Sequence, residues 1–237
     1  MPYFYGFDWT YFYLVLPCIL LSIIASTKVN STFQKYSKQI SLRHMTGADA
    51  AQRVLSANGV SGVKIERVSG NLTDHYDPRS NVIRLSDSVY DSPSVAAIGV
   101  ACHEAGHAVQ YAKNYAPIKL RAAIIPITNI GSKLAMPLIL LGLLFGIGGE
   151  YSFTFLYLGI ACFALSVVFQ LVTLPVEFNA SRRAMQAIES TGLLTDDEQR
   201  GARKTLTAAA MTYVAALAVS LAQLLRLILL FGRRRND

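Results

Sequence analysis

Apolar and polar positions fall along this chain in long blocks, not in the short periods of a soluble domain. Residues 9–26 carry no charged side chain, and as a helix they are long enough to cross a hydrocarbon layer about 30 Å thick, where Pro17 is tolerated. A cleaved signal peptide would need a basic stretch ahead of the apolar run. Only Asp8 is charged there, so residues 1–27 read as a retained transmembrane anchor. Three further apolar stretches follow, at 134–149, 153–176 and 206–231. The first of these starts as early as residue 122 if Pro126 or Pro137 bends it, and it forms a hairpin with the next across residues 150–152. About four transmembrane helices are expected.

Residues 28–116 are mixed in character. Thr46 is the expected N-cap of an amphipathic helix carrying Ala50, Ala51, Val54 and Leu55, which Asn58-Gly59 stops. Val63 and Ile65 alternate with Lys64 and Glu66, Val82 and Leu85 form a second β-rich stretch, and residues 77–81 read as the turn between strands. This predicts a small antiparallel sheet. Ser92 as N-cap and Pro93 as first residue then predict a helix running through residues 103–107 to about Asn114 and Pro117. Residues 181–204 are polar, with Gly192 as a stop and Asp196-Asp197-Glu198 as the start of another helix. The chain thus divides into an anchor (1–27), an extramembrane domain (28–116), a linker and hairpin (117–176), a helix and loop (177–204) and an apolar helix with a basic tail (205–237). The fold class is a mainly α membrane protein with a small α+β domain outside the bilayer.

Composition agrees with this division, since 52% of the 237 residues are hydrophobic and 16% charged. The formal net charge of +7 reflects topology more than nucleic acid, because no basic run is interleaved with aromatics. Thirteen Lys or Arg lie between the first two spans and five between the third and fourth. The positive-inside rule therefore puts the extramembrane domain in the cytoplasm. The C-terminal Arg233, Arg234 and Arg235 conflict with four crossings. Either the last helix crosses, with Arg226 snorkelling to the far interface, or it lies along the domain or the membrane surface. The three cysteines show no pairing pattern, and Cys102 beside His103 is read as packing.

The chemistry is concentrated in His103-Glu104-Ala105-Gly106-His107. On a helix, residues four apart share a face, so both imidazoles reach one tetrahedral metal ion, expected to be a single zinc. Glu104 borders that face, placed to take a proton from activated water and pass it to a leaving amine. Ala101, Ala105, Gly106 and Ala108 are small enough for other groups to crowd around a metal. A catalytic site needs a third protein ligand. Glu177, which emerges just after the third apolar stretch and Pro175, is the expected one, the alternative being an interfacial carboxylate paired with Arg182 or Arg183.

Together with Asp74-His75-Tyr76-Asp77-Pro78, Leu85-Ser86 and Pro175-Val176-Glu177-Phe178-Asn179-Ala180-Ser181, the motif resembles the YugP-like neutral zinc metallopeptidases of bacterial membranes, over almost the whole chain. More distantly it is similar to the membrane gluzincins that include the HtpX-like heat-shock proteases and the prenyl-protein proteases. The resemblance implies a zincin-like domain facing the cytoplasm at the inner membrane, and an endopeptidase acting on membrane proteins or peptides. Where those relatives carry Asp in the third-ligand helix this chain has Ser181, so Asp77, Asp74 or a carbonyl is expected to orient a ligand histidine. His75 and Tyr76 precede the turn at an edge of the inferred sheet. They are candidate catalytic donors to an oxyanion, with strand packing the alternative, and the edge would bind peptide substrate as an added strand. Two rivals stay open. One is a non-catalytic scaffold with four protein ligands on zinc, and the other is intramembrane cleavage, which the short run at 95–102 disfavours.

Overall fold

The computed structural model describes residues 8–145 and 151–232. A π-helical turn, Tyr11–Val15, leads into α1 (Leu16–Ser37), followed by α2 (Gly47–Ala57), β1 (Lys64–Val68), β2 (His75–Asp77), β3 (Val82–Ser86), α3 (Val95–Ala112), α4 (Ala116–Leu144), α5 (Ser152–Thr191) and α6 (Asp196–Phe231). Among the described residues four helices are long and apolar enough to cross a membrane: Tyr11–Ser37, Ala116–Leu144, Ser152–Thr191 and Asp196–Phe231. They are longer than their apolar stretches. The third apolar stretch and the helix expected after residue 176 are one continuous element, α5, through Thr191, because residues 177–191 exchange an outward apolar surface for a core without changing conformation. Gly192, at φ +61°, supplies the stop. Pro126 and Pro137 lie inside α4 and Pro175 inside α5.

The residues cluster into two compact units. One comprises Met1–Ile24, Leu120–Thr173 and Tyr213–Asp237. Its outward faces are apolar, with Ile23, Ile24, Leu140, Leu144, Leu171 and Leu225 exposed as lipid-facing side chains would be. Inside it, Ile139, Leu156, Leu227 and Phe231 form a small core. Gly159 lets α5 lie against α4, since a methyl there would stand 2.9 Å from the Ala135 carbonyl oxygen. Polar side chains tie the helices together: Ser132 Oγ meets Ser166 Oγ at 2.8 Å, and Gln170 Nε2 donates to Ser220 Oγ at 2.7 Å. Arg226 does not snorkel alone. Its guanidinium donates to Asp8, with Nε 2.7 Å from Oδ2, and lies over the Tyr11 ring at 5.4 Å.

The other unit comprises Ala25–Lys119 and Leu174–Thr212. It joins the segment around the His-Glu motif to the segment that carries Glu177. Its core draws Val54 and Leu55 from α2, Ile83 and Leu85 from β3, Ile98 and Cys102 from α3, Ile188 from α5 and Leu206 from α6. Thr46 caps α2 as expected, in a reciprocal box with Asp49, and Asn58 and Gly59 close it. The helix carrying the motif begins two residues later than the sequence predicts. Ser94, not Ser92, is its N-cap, accepting from the Ala97 N–H at 3.3 Å. The cause is a backbone bridge: Ser41 N donates to Pro93 O and Val95 N to Gln39 O, both at 2.9 Å, which holds residues 93 and 94 extended.

The sheet is mixed, not antiparallel. Its order is β1-β3-β2, with β1 parallel to β3 and β2 antiparallel to it. Two chain reversals, at residues 69–74 and 78–81, separate β1 from β3, so those strands point the same way. β3, with Val82, Ile83, Leu85 and Ser86 all buried, takes the centre and leaves β2 with one free edge.

Candidate active site

The site begins with α3, which turns His103 and His107 to one face with ring centroids 4.8 Å apart. The Glu177 side chain reaches that face from α5. Its Oε2 lies 3.3 Å from His103 Nε2 and 3.5 Å from His107 Nε2. The close approach of the helices depends on Gly106, which faces the backbone of Ala180.

His103, His107 and Glu177 form a group whose ligand atoms all lie within 4.8 Å of one another. A tetrahedral zinc with bonds of about 2.0–2.1 Å holds its ligand atoms about 3.3 Å apart, close to the 3.3 and 3.5 Å that separate Glu177 Oε2 from the two Nε2 atoms. Two imidazole nitrogens and a carboxylate oxygen are also a donor set that zinc favours. The residues therefore fit the ion. Glu177 is 2% exposed, and a carboxylate so placed needs compensating positive charge.

Each ring's far nitrogen is occupied. Ser181 Oγ lies 3.1 Å from His103 Nδ1, and Gln110 Oε1 lies 3.0 Å from His107 Nδ1. Burial draws His107 toward its neutral form. The Glu177 hydrogen bond and the charges of Glu104 and Glu177 outweigh that, so the ring without a metal holds its proton above the ordinary histidine value. Glu104 is 8% exposed, and among the described residues its carboxylate makes no hydrogen bond or ion pair. Such a group is an available base.

The other candidates lie elsewhere. Asp77 does not reach a histidine ring: its carboxylate accepts from Arg79 N at 2.9 Å, Ser80 Oγ at 2.6 Å and Arg84 Nη1 at 3.1 Å, organising the turn after β2. Asp74 accepts from Ser86 N at 2.8 Å and Ser86 Oγ at 2.9 Å. Burial, with a smaller contribution from the Glu104 charge, raises its carboxyl above the usual range. Tyr76 donates its hydroxyl to Asn81 Oδ1 at 2.7 Å and packs its ring against Tyr111. His75 is exposed, with Nδ1 2.8 Å from Thr73 O. Among the described residues no hydrogen bond, ion pair or ring contact joins His75 or Tyr76 to the three-residue group. Cys102 is buried in the core. Gln110 and its partner Asn179 carry contacts that the sequence did not announce. The one available signal was a polar residue three positions after His107, on a helix otherwise lined with small and apolar groups.

A helical site unit with two imidazoles and a buried carboxylate converging on one point, accompanied by four membrane-length helices, defines a membrane metalloprotein. Residues 11–232 match the family described as "putative neutral zinc metallopeptidase", and the chain belongs to that family. It is 46% identical over 227 residues to a Bacillus subtilis (strain 168) protein named "putative membrane protease YugP", covering 96% of this chain and 99% of that one. No solved structure matches it.

Proposed function

We propose that the chain is a zinc-dependent endopeptidase of the gluzincin type, with His103, His107 and Glu177 holding one zinc ion and Glu104 serving as base and then acid. The observation that carries this reading is the Glu177 carboxylate within 3.5 Å of both Nε2 atoms, with Glu104, which makes no hydrogen bond or ion pair among the described residues, on the same helix as the rings. Zinc, when bound, acts as a Lewis acid toward the scissile carbonyl and acidifies water. The chain's own residues do the rest. His103 and His107 present Nε2 from one helix face, and Glu177 neutralises charge at a site almost closed to solvent. Glu104 takes a proton onto its carboxylate from the attacking water and returns it to the nitrogen of the departing amine. Among the described residues the group has three members, which favours an open fourth position over a closed structural site.

The substrate is a membrane protein or peptide cut near the cytoplasmic face of a bacterial inner membrane. Support comes from the four apolar helices and from the eighteen basic residues that lie along the chain between the first and second and between the third and fourth apolar stretches. An extended substrate segment would add to the free edge of β2 by main-chain hydrogen bonds. The last helix crosses the bilayer. The Asp8–Arg226 pair and the packing of Leu227 and Phe231 on Ile139 and Leu156 favour this over a surface orientation.

The test is Glu104→Gln in purified protein with a fluorogenic unfolded substrate. Cleavage is expected to fall by roughly a thousandfold or more, at the upper end of what acid–base catalysis contributes, with zinc content unchanged. A variant that cleaves at the parent's rate would remove the mechanism.

A further inference from the structure

The amide of Gln110 lies at 0% exposure between α3 and α5, and its partners decide which way round it sits. One end is 2.8 Å from the carbonyl oxygen of Val176, an atom that only accepts, so that end is the NH2 group. The same group reaches Asn179 Oδ1 at 3.0 Å. The orientation of Asn179 is fixed in turn by Arg183, whose Nε donates to that oxygen at 2.8 Å and has no accepting capacity. The other end of Gln110 is therefore its carbonyl oxygen, and it faces His107 Nδ1 at 3.0 Å. Two acceptors cannot meet there, so Nδ1 carries a proton. A neutral ring of that form keeps its lone pair on Nε2, where a metal can take it; with no metal there, the Glu177 carboxylate 3.5 Å away competes for the proton at that nitrogen.

We propose that Gln110 is a positioning residue that fixes His107 in the tautomer a metal ligand requires and ties the His107 helix to the backbone beside Glu177. The inference rests on the zinc reading above and deepens it. Rotating the amide would set oxygen against oxygen at Val176 and NH2 against an N–H at His107, stranding buried donors and acceptors. The donor order therefore runs one way from Arg183 to His107. His103 has no such arrangement. Its Nδ1 meets the Ser181 hydroxyl, which donates or accepts with equal ease, so Ser181 steadies that ring without choosing its tautomer. Val176 adjoins Glu177, so one side chain aligns a ligand ring on α3 with the ligand-bearing turn of α5.

The experiment compares the full-length parent, Gln110→Met, Gln110→Glu and Ser181→Ala in detergent. Two quantities are read: histidine 15N shifts of the metal-free protein at a pH where the rings are neutral, and zinc affinity by competition with a chelating dye. The parent is expected to show a larger share of His107 in the Nδ1–H form than Gln110→Met does. Gln110→Met should shift toward the Nε2–H form, which the Glu177 carboxylate accepts, and bind zinc about 10–100-fold more weakly. Ser181→Ala should lose less. Gln110→Glu keeps an acceptor for Nδ1 but cannot donate to Val176, so it retains the tautomer while losing part of the affinity, and it carries the test if Gln110→Met does not fold. A parent-like 15N pattern or a zinc affinity within twofold of the parent in Gln110→Met overturns the proposal, as does the Nε2–H form of His107 in Gln110→Glu. If the parent binds no zinc, the zinc reading fails on its own, and the 15N pattern still decides the part played by Gln110.

Discussion

A methyl group placed on Gly106 would stand 2.7 Å from the carbonyl oxygen of Ala180. The atom it meets is backbone, so relief requires α3 and α5 to move apart, and that separation pulls Glu177 away from the rings. Gly106→Ala is expected to lose about 1–3 kcal/mol of stability by overpacking and to bind zinc more weakly. Thermal unfolding together with metal titration checks both. Unchanged zinc affinity would mean that the helices separate without disturbing the ligands.

Glu177→Ala leaves two imidazoles without their carboxylate. Metal content of the purified protein should fall from about one zinc per chain toward zero after mild dialysis against a chelator, while His75→Ala stays at the parent's level. Elemental analysis of the two variants side by side gives the answer, and equal retention would place the third ligand elsewhere.

The His107 imidazole is held above its ordinary value chiefly by Glu177, against its burial. A proton on the ring excludes zinc. Zinc affinity should therefore weaken as pH falls, starting above the ordinary histidine value of about 6.5. In the metal-free protein the sign is opposite. The raised value stabilises the fold fully below about pH 6.5, and the contribution is lost as pH rises through the folded-state value. Chelator competition and thermal melts across pH 5.5–8.5 measure the two trends, and a melt of the metal-free protein unaffected by His107→Gln across that range would contradict the second.

Asp8 and Arg226 pair with 27% and 20% of their side chains exposed. Removing one partner leaves the other uncompensated in an apolar setting. Asp8→Asn should destabilise the protein more than Asp8→Asn combined with Arg226→Met, with a coupling of about 1–3 kcal/mol in a double-mutant cycle. Zero coupling would show that the pair contributes nothing to holding the helix ends.

Much of the site was legible because its signals are local. His103, Glu104 and His107 lie within five residues, and Glu177 stands out as a charge directly after an apolar run. Helix lengths were harder. A helix that passes from lipid-facing to core-facing keeps its backbone and changes only its surface, so the polarity change at residue 177 resembled a boundary. Strand order was hidden for another reason: which strand takes the centre depends on the relative burial of all three, and only β3 has both faces apolar enough. Gln110 was invisible because its meaning lies in partners 66 and 69 residues away.

Glu104 differs from its neighbours in having no tether among the described residues. Under the proposed mechanism this carboxylate takes a proton from an incoming nucleophile and delivers it to a departing nitrogen, and so serves two points in space within one turnover. Rigid anchoring would suit one and forfeit the other. The hydrogen-bonded imidazoles and the buried carboxylate beside them, which makes no such bond among the described residues, fit those two demands.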